Sequence, residues 1–177
     1  MKLNRYFIRA YKLNEENSDG FFDVTGKLYY SDEVQSLAQY EQHLDINRLQ
    51  HITSVAFIAY EVCKELGLDC ESAARAAVLH DLFYYDWRDG ETGRWHKLHG
   101  YKHPNYARLN AKELYPEITK KEEDIIARHM WPLTVLPPKS PEGLVVSLAD
   151  KYCATKELII SLSKSQKESF RKELESL

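Results

Sequence analysis

Three places in this chain put side chains able to do chemistry where a fold ordinarily puts apolar ones. His51 lies near the start of a segment with core-helix spacing. The pair His80-Asp81 closes the alanine-rich run Ala73-Ala74-Arg75-Ala76-Ala77-Val78-Leu79, and Asp150 follows Leu144-Val145-Val146-Ser147-Leu148-Ala149. A carboxylate buried alone in low dielectric requires a proton, a partner or a metal ion. An adjacent histidine and aspartate at the end of a core helix must satisfy both heads at one point. A metal cation answers all three demands together, because imidazoles and carboxylates from separate helices can converge on it. Helices packed about 8–10 Å apart can aim such side chains at one place. Each residue also has a simpler structural use. His51 can be a helix-face histidine bonded to a carbonyl, and His80-Asp81 a capping pair. Asp150 can be an ion-pair partner of Arg75 or Lys151, His103 a cap before Pro104, and His129 a partner of a helix C-terminus.

Positioning these groups calls for helices. Ser31-Asp32-Glu33-Val34 reads as an N-cap followed by acids in a first turn, with Val34, Leu37, Ala38 and Leu44 near helical spacing. A helix from about Asp45 to Leu66 is expected, because Ile52, Val55, Ala56, Ala59, Val62 and Cys63 recur at three and four residues and Gly67 ends the run. Another runs from Asp69 or Glu71 to Leu82. Asn105–Leu114, Lys120–His129 and Gly143–Ser161 read as three more, and Ser163–Leu177 as a polar helix with a solvated face. Between them, Asp89-Gly90 and Gly93 mark turns among the aromatics Phe83, Tyr84, Tyr85, Trp87 and Trp95, of which Phe83, Tyr84, Tyr85 and Trp87 read as core or pocket wall rather than a base-stacking platform. Residues 1–30 are the least regular. There Phe21-Phe22-Asp23-Val24 and Lys27-Leu28-Tyr29-Tyr30 flank Thr25-Gly26, as a small β-hairpin or an extended lead-in. The fold class is all-α with a minor N-terminal β element, and residues 31–162 form the main helical domain.

In their flanks these residues resemble the HD-domain superfamily of metal-dependent phosphohydrolases. Arg48-Leu49-Gln50-His51-Ile52-Thr53-Ser54-Val55-Ala56 is similar to its Arg-x-x-His-Ser-x-x-Val-Ala opening. Ala76-Ala77-Val78-Leu79-His80-Asp81 is similar to its Ala-x-Leu-Leu-His-Asp core, and Leu148-Ala149-Asp150-Lys151 to its closing Ala-Asp-Lys. The resemblance covers roughly residues 45 to 160. His103-Pro104-Asn105-Tyr106-Ala107 and Ile125-Ile126-Ala127-Arg128-His129 look like the segments of members with a second metal, with His99 the competitor of His103. The resemblance thus implies His51, His80, Asp81 and Asp150 around one ion, His103 and His129 at a second, and Asp81 bridging, with His80 and Asp81 as the catalytic pair. The implied reaction is hydrolysis of a phosphate ester or anhydride, in a nucleotide or other small metabolite, by a metal-activated water. Arg88, Lys102, Arg128 and Lys151 adjoin the ligand segments and are the expected phosphate clamps. Leu82-Phe83-Tyr84-Tyr85 follows His80-Asp81, so the Gly-Tyr-Pro signature of the cyclic-dinucleotide branch is missing. The same ligand set is also similar to HD-fold di-iron oxygenases, and a non-catalytic metal- or nucleotide-binding regulator is a third reading. Histidine and carboxylate ligands suit iron or manganese first, with nickel, cobalt or zinc as options.

Composition narrows the setting. The chain has 177 residues, 44% hydrophobic and 29% charged, the balance of one globular domain. Lys+Arg number 24 against Asp+Glu 27, a net charge of −3 that argues against a nucleic-acid binder. Arg5, Arg9 and Lys12 interrupt any signal-like apolar stretch, and no window of about 18 apolar residues suggests a membrane span. The three cysteines lack Cys-x-x-Cys spacing and read as small apolar fillers, which places the protein in the reducing cytoplasm.

Overall fold

A long helix that is apolar on every face must be surrounded by the rest of the chain. Residues 48–65 form such a helix, in which every residue from His51 to Glu61 is buried. The computed structural model describes residues 2–43, 46–86 and 98–176. In chain order it contains α1 (Lys2–Ala10), α2 (Phe21–Tyr29), α3 (Asp32–Gln35), a 3-10 turn (Ser36–Gln39), β1 (Glu41–His43), β2 (Ile46–Asn47), α4 (Arg48–Glu65), α5 (Cys70–Leu79), α6 (His99–Leu114), α7 (Lys120–Arg128), α8 (Pro141–Leu162) and α9 (Lys164–Glu175). Helix α4 is the axis, with α1, α5 and α8 packed on it. Helices α2 and α7 lean on α5, and α6 on α7. Among the described residues the fold is all-α with one two-stranded antiparallel sheet, β1–β2, pairing Glu41 with Asn47. Among the described residues no helix is long and apolar enough to cross a membrane.

The helix starts follow from side chains that satisfy orphan backbone N–H groups. Asn47 and Gln50 close a reciprocal capping box on α4, and Thr119 and Glu122 do the same on α7. Ser140, followed by Pro141 in the first turn, caps α8. Small residues set the central spacing: Ala73, Ala74, Ala76 and Ala77 of α5 are fully buried and let α4 come close.

Asp69 caps α5 by accepting from Ser72 N–H at 3.0 Å, and it pairs with Lys121 across to α7 at 2.9 Å. Partial burial works against its ionisation, yet the Ser72 N–H and the Lys121 ammonium outweigh it and hold the carboxyl at about 2. A carboxyl depressed on folding contributes stability that is present above its unfolded value near 3.8 and is lost as pH falls through about 2. Asp69→Ala is therefore expected to cost about 1 kcal/mol at neutral pH. The gap from wild type should close between about pH 4 and pH 2, read by helical circular dichroism in denaturant at each pH. A gap that stays constant down to pH 2 would contradict this.

Two expectations need correction. Residues 21–29 are helix rather than hairpin: Phe21, Phe22, Thr25 and Leu28 lie on one helical face and are buried, and Thr25 Oγ1 donates to Phe21 O at 2.8 Å. The turn signal lies just upstream, where Asp19 and Gly20 take φ of 52° and 88°. The β element falls instead at residues 41–43 and 46–47, where the Arg48 N–H donates to Tyr40 O at 2.8 Å beside the start of α4. Helix α6 begins at His99 rather than Asn105, with Pro104 inside it, so His103 is a buried mid-helix residue and not a cap. The three cysteines are unpaired. Helix α9 docks one face on the core through Phe170, whose ring lies 4.9 Å from Tyr11 and 5.9 Å from Phe7.

Candidate metal centre

Five helices deliver six side chains to one buried point. His51 comes from the first turn of α4, His80 and Asp81 from the end of α5, and His103 from α6. His129 stands at the end of α7 and Asp150 midway along α8. All six are buried. His51 Nε2 lies 3.1 Å from Asp150 Oδ1, and His80 Nε2 lies 3.7 Å from Asp81 Oδ2 and 3.9 Å from Asp150 Oδ1. On the far side of Asp81, its Oδ1 lies 3.2 Å from His103 Nε2 and 3.7 Å from His129 Nε2. Those two nitrogens are 2.9 Å apart.

The other ring nitrogens fix the tautomers. His80 Nδ1 is 2.7 Å from Ala77 O, His103 Nδ1 is 3.0 Å from His99 O, and His129 Nδ1 is 2.7 Å from Ile126 O. A carbonyl can only accept, so each Nδ1 carries the hydrogen and each Nε2 presents a lone pair to the centre. His51 is oriented by a carboxylate, with Nδ1 2.8 Å from Glu157 Oε2. The result is a convergence of acceptors. Among the described residues, His80 Nε2 and Asp81 Oδ1 are buried without a hydrogen-bond partner. Buried lone pairs facing each other need a cation between them. Three overlapping triads have donor atoms close enough to hold a metal ion: His51/His80/Asp81, His80/His129/Asp150 and Asp81/His103/His129. The donor chemistry, imidazole and carboxylate, suits a divalent transition metal.

The electrostatics agree. Burial alone would raise Asp81, but His80, His103 and His129 outweigh it and hold its carboxyl well below the usual range. Burial, together with the closeness of His80 and His103, drives His129 well below the ordinary imidazole value. Burial lowers His80 as well. Neutral His80 and His129 beside an ionised Asp81 are the protonation states that metal ligation requires, whereas His51, raised by Glu157 and Asp150, gives up a proton when a cation binds.

The expected phosphate clamps fare differently. Lys151 lines the cavity over the centre, with Nζ donating to Asp150 Oδ2 at 2.7 Å and to His129 O at 2.8 Å. Asp150 therefore has the lysine partner as well as its place in the cluster, while Arg75 pairs with Glu122 at 2.7 Å. Arg128 turns away, bonded to Asp124 at 2.7 Å and to Pro137 O at 2.8 Å, and Lys102 is not part of the cavity lining. Arg88, Trp87, Trp95, His96, the Asp89-Gly90 and Gly93 turns and Leu44 lie outside the described residues, as does the side chain of His43. His99 stacks on His103 with ring centroids 4.5 Å apart and forms cavity wall, so His103 rather than His99 faces Asp81 and His129. The cavity is about 190 Å³ and also includes Gln42, Gly100, Met130 and Ala154.

Sequence reasoning missed Glu157 and Gln42. Glu157 had a signal, since it lies seven residues after Asp150 on the same buried face of α8 as Cys153 and Ile160. Gln42 had none, because a three-residue strand gives no periodicity. No curated protein and no solved structure is significantly similar to the chain. The HD-domain family model matches residues 48–155, which hold all six converging side chains, and the chain belongs to the HD-domain family.

Proposed function

We propose that the protein is a metal-dependent phosphohydrolase with two ions, cleaving a phosphate ester or anhydride of a small metabolite, foremost a nucleotide. The observation that supports this best is the position of Asp81, whose two oxygens face two separate histidine sets. His51, His80, Asp81 and Asp150 would hold one ion, and Asp81, His103 and His129 the other. The chemistry such ions supply when bound is ionisation of water near neutral pH and neutralisation of charge on phosphoryl oxygens. The carbonyl-anchored histidines keep their Nε2 atoms aimed without reorganisation during reaction. Lys151 adds a positive charge to the cavity wall, where a phosphoryl group would lie. Arg88 belongs to the same proposal as a clamp. Met130 and Ala154 give the wall an apolar side that limits water beside the reacting groups.

The test is phosphate release from a panel of nucleoside mono-, di- and triphosphates and simple phosphomonoesters. The protein is loaded with manganese or iron, with and without oxygen. The expected result is turnover that EDTA abolishes and that proceeds equally without oxygen. Oxygen uptake coupled to turnover, or nucleotide binding without release under every divalent metal, would overturn it.

A further inference from the structure

We infer that Gln42 is a positioning residue for Asp81, held in its working orientation by the buried guanidinium of Arg48. Arg48 is fully buried, its guanidinium 3.6 Å from the Phe83 ring centroid and 4.8 Å from that of Tyr40. Nη1 donates to Phe83 O at 2.6 Å and Nη2 to Tyr85 O at 3.1 Å. The third nitrogen, Nε, donates to Gln42 Oε1 at 3.4 Å. A guanidinium has no acceptor, so the oxygen end of the Gln42 amide must face Arg48. Its NH₂ end then faces the opposite way, to Asp81 Oδ2 at 3.3 Å, at the edge of the cavity.

This bond separates the two oxygens of one carboxylate. Oδ2 takes a hydrogen from Gln42 and lies on the His80 side, while Oδ1 lies toward His103 and His129. A carboxylate turns about its terminal bond over a broad, soft well. A donor on one oxygen therefore fixes which histidine set each oxygen serves, and it leaves a second lone pair on Oδ2 for a cation. Arg48 also ties residues 83–85, which follow Asp81 in the chain, to the strand that carries Gln42. The orientation of Asp81 is thus set from both directions by one buried cation.

The inference rests on the metal-centre reading but not on the phosphohydrolase one. Its test uses Co²⁺ as the probe on the full chain, comparing wild type with Gln42→Met, which fills the space without a donor. Three quantities are read: Co²⁺ affinity by calorimetry, the visible absorption of the Co²⁺-saturated protein, and the melting temperature of the metal-free protein. Gln42→Met is expected to bind Co²⁺ about 10- to 100-fold more weakly. Its visible spectrum should change at saturation, and its metal-free melting temperature should stay close to wild type. Wild-type affinity with an unchanged spectrum would overturn the role, as would a lowered melting temperature with an unchanged spectrum, the mark of a merely structural contact. Failure of the wild type itself to bind Co²⁺ would overturn the metal centre and this inference with it.

Discussion

Asp81→Ala is expected to leave the protein unable to retain metal at either histidine set. Asp81 turns an oxygen toward each group, Oδ2 beside His80 and Oδ1 beside His103 and His129. In the proposed two-ion arrangement its removal would take a ligand from both sets at once, whereas His51→Ala would take one from a single set. The direct measurement is elemental analysis after dialysis, with the variant expected to hold less than about a tenth of the wild-type metal if removing a direct ligand costs at least what removing its support does. A second readout does not depend on turnover. A ligand at a hundredfold excess over its Kd stabilises the folded state by about 2.7 kcal/mol. In a chain of this length that raises the melting temperature by about 5–10 °C. Wild type should show this rise on adding manganese and Asp81→Ala should show none. Under the proposed phosphohydrolase reading, phosphate release should fall by about a thousandfold or more, since activation of the nucleophile and charge neutralisation are lost together. Wild-type metal content in Asp81→Ala would mean that the carboxylate does not join the two sets.

How much of this was legible before the structure depends on the length of each pattern. The stripe from Ile52 to Cys63 spans three turns and could be read as nothing but a core helix, and α4 bears it out. Residues 21–29 span little more than two turns, rich in aromatics with a Thr-Gly pair at the centre. Over so short a stretch, periods of 2 and 3.6 fit almost equally well. Tertiary packing decided the matter, because a helix buries Phe21, Phe22, Thr25 and Leu28 together. The start of α6 was missed for a different reason. Pro104 reads as a first-turn proline, yet five residues precede it in the helix. The missing N–H costs only the bond to Gly100 O, close to the helix start.

The site shows the same division. His51, His80, Asp81 and Asp150 were legible because each is an expensive group at a core position, whereas His103 and His129 were legible only through the resemblance of their segments to the family. Of the residues chosen because they adjoin a ligand in sequence, Lys151 lines the cavity and Arg128 does not. Arg128 precedes His129, but successive residues on a helix point about 100° apart, and its guanidinium is spent on Asp124 and Pro137. Gln42 reaches the site through a strand whose existence no pattern announced. Glu157 could have been found by treating the second acid on the buried face of α8 as a question.

Glu157 carries the remaining large effect. Its Oε2 accepts from His51 Nδ1 at 2.8 Å, both side chains fully shielded from solvent, and so it fixes the ring orientation that turns His51 Nε2 toward Asp150. Burial would pull His51 down, but Glu157 and Asp150 outweigh it and raise its pKa well above the ordinary value in the metal-free protein. Glu157→Leu fills the space with apolar atoms and leaves the Nδ1 hydrogen of His51 without its carboxylate. Breaking a buried pair by removing one partner costs about 3–5 kcal/mol, and metal affinity should fall about 10- to 100-fold as the imidazole loses its fixed orientation. Glu157→Gln separates the two contributions. Its amide oxygen can still accept from Nδ1, so orientation survives while the charge is lost. The Gln variant is therefore expected to recover most of the metal affinity and only part of the stability, measured by calorimetric titration with manganese and by thermal unfolding of the metal-free protein. If Leu and Gln weaken metal binding equally, charge rather than orientation is what Glu157 supplies. If neither weakens it, His51 does not depend on Glu157 for its aim.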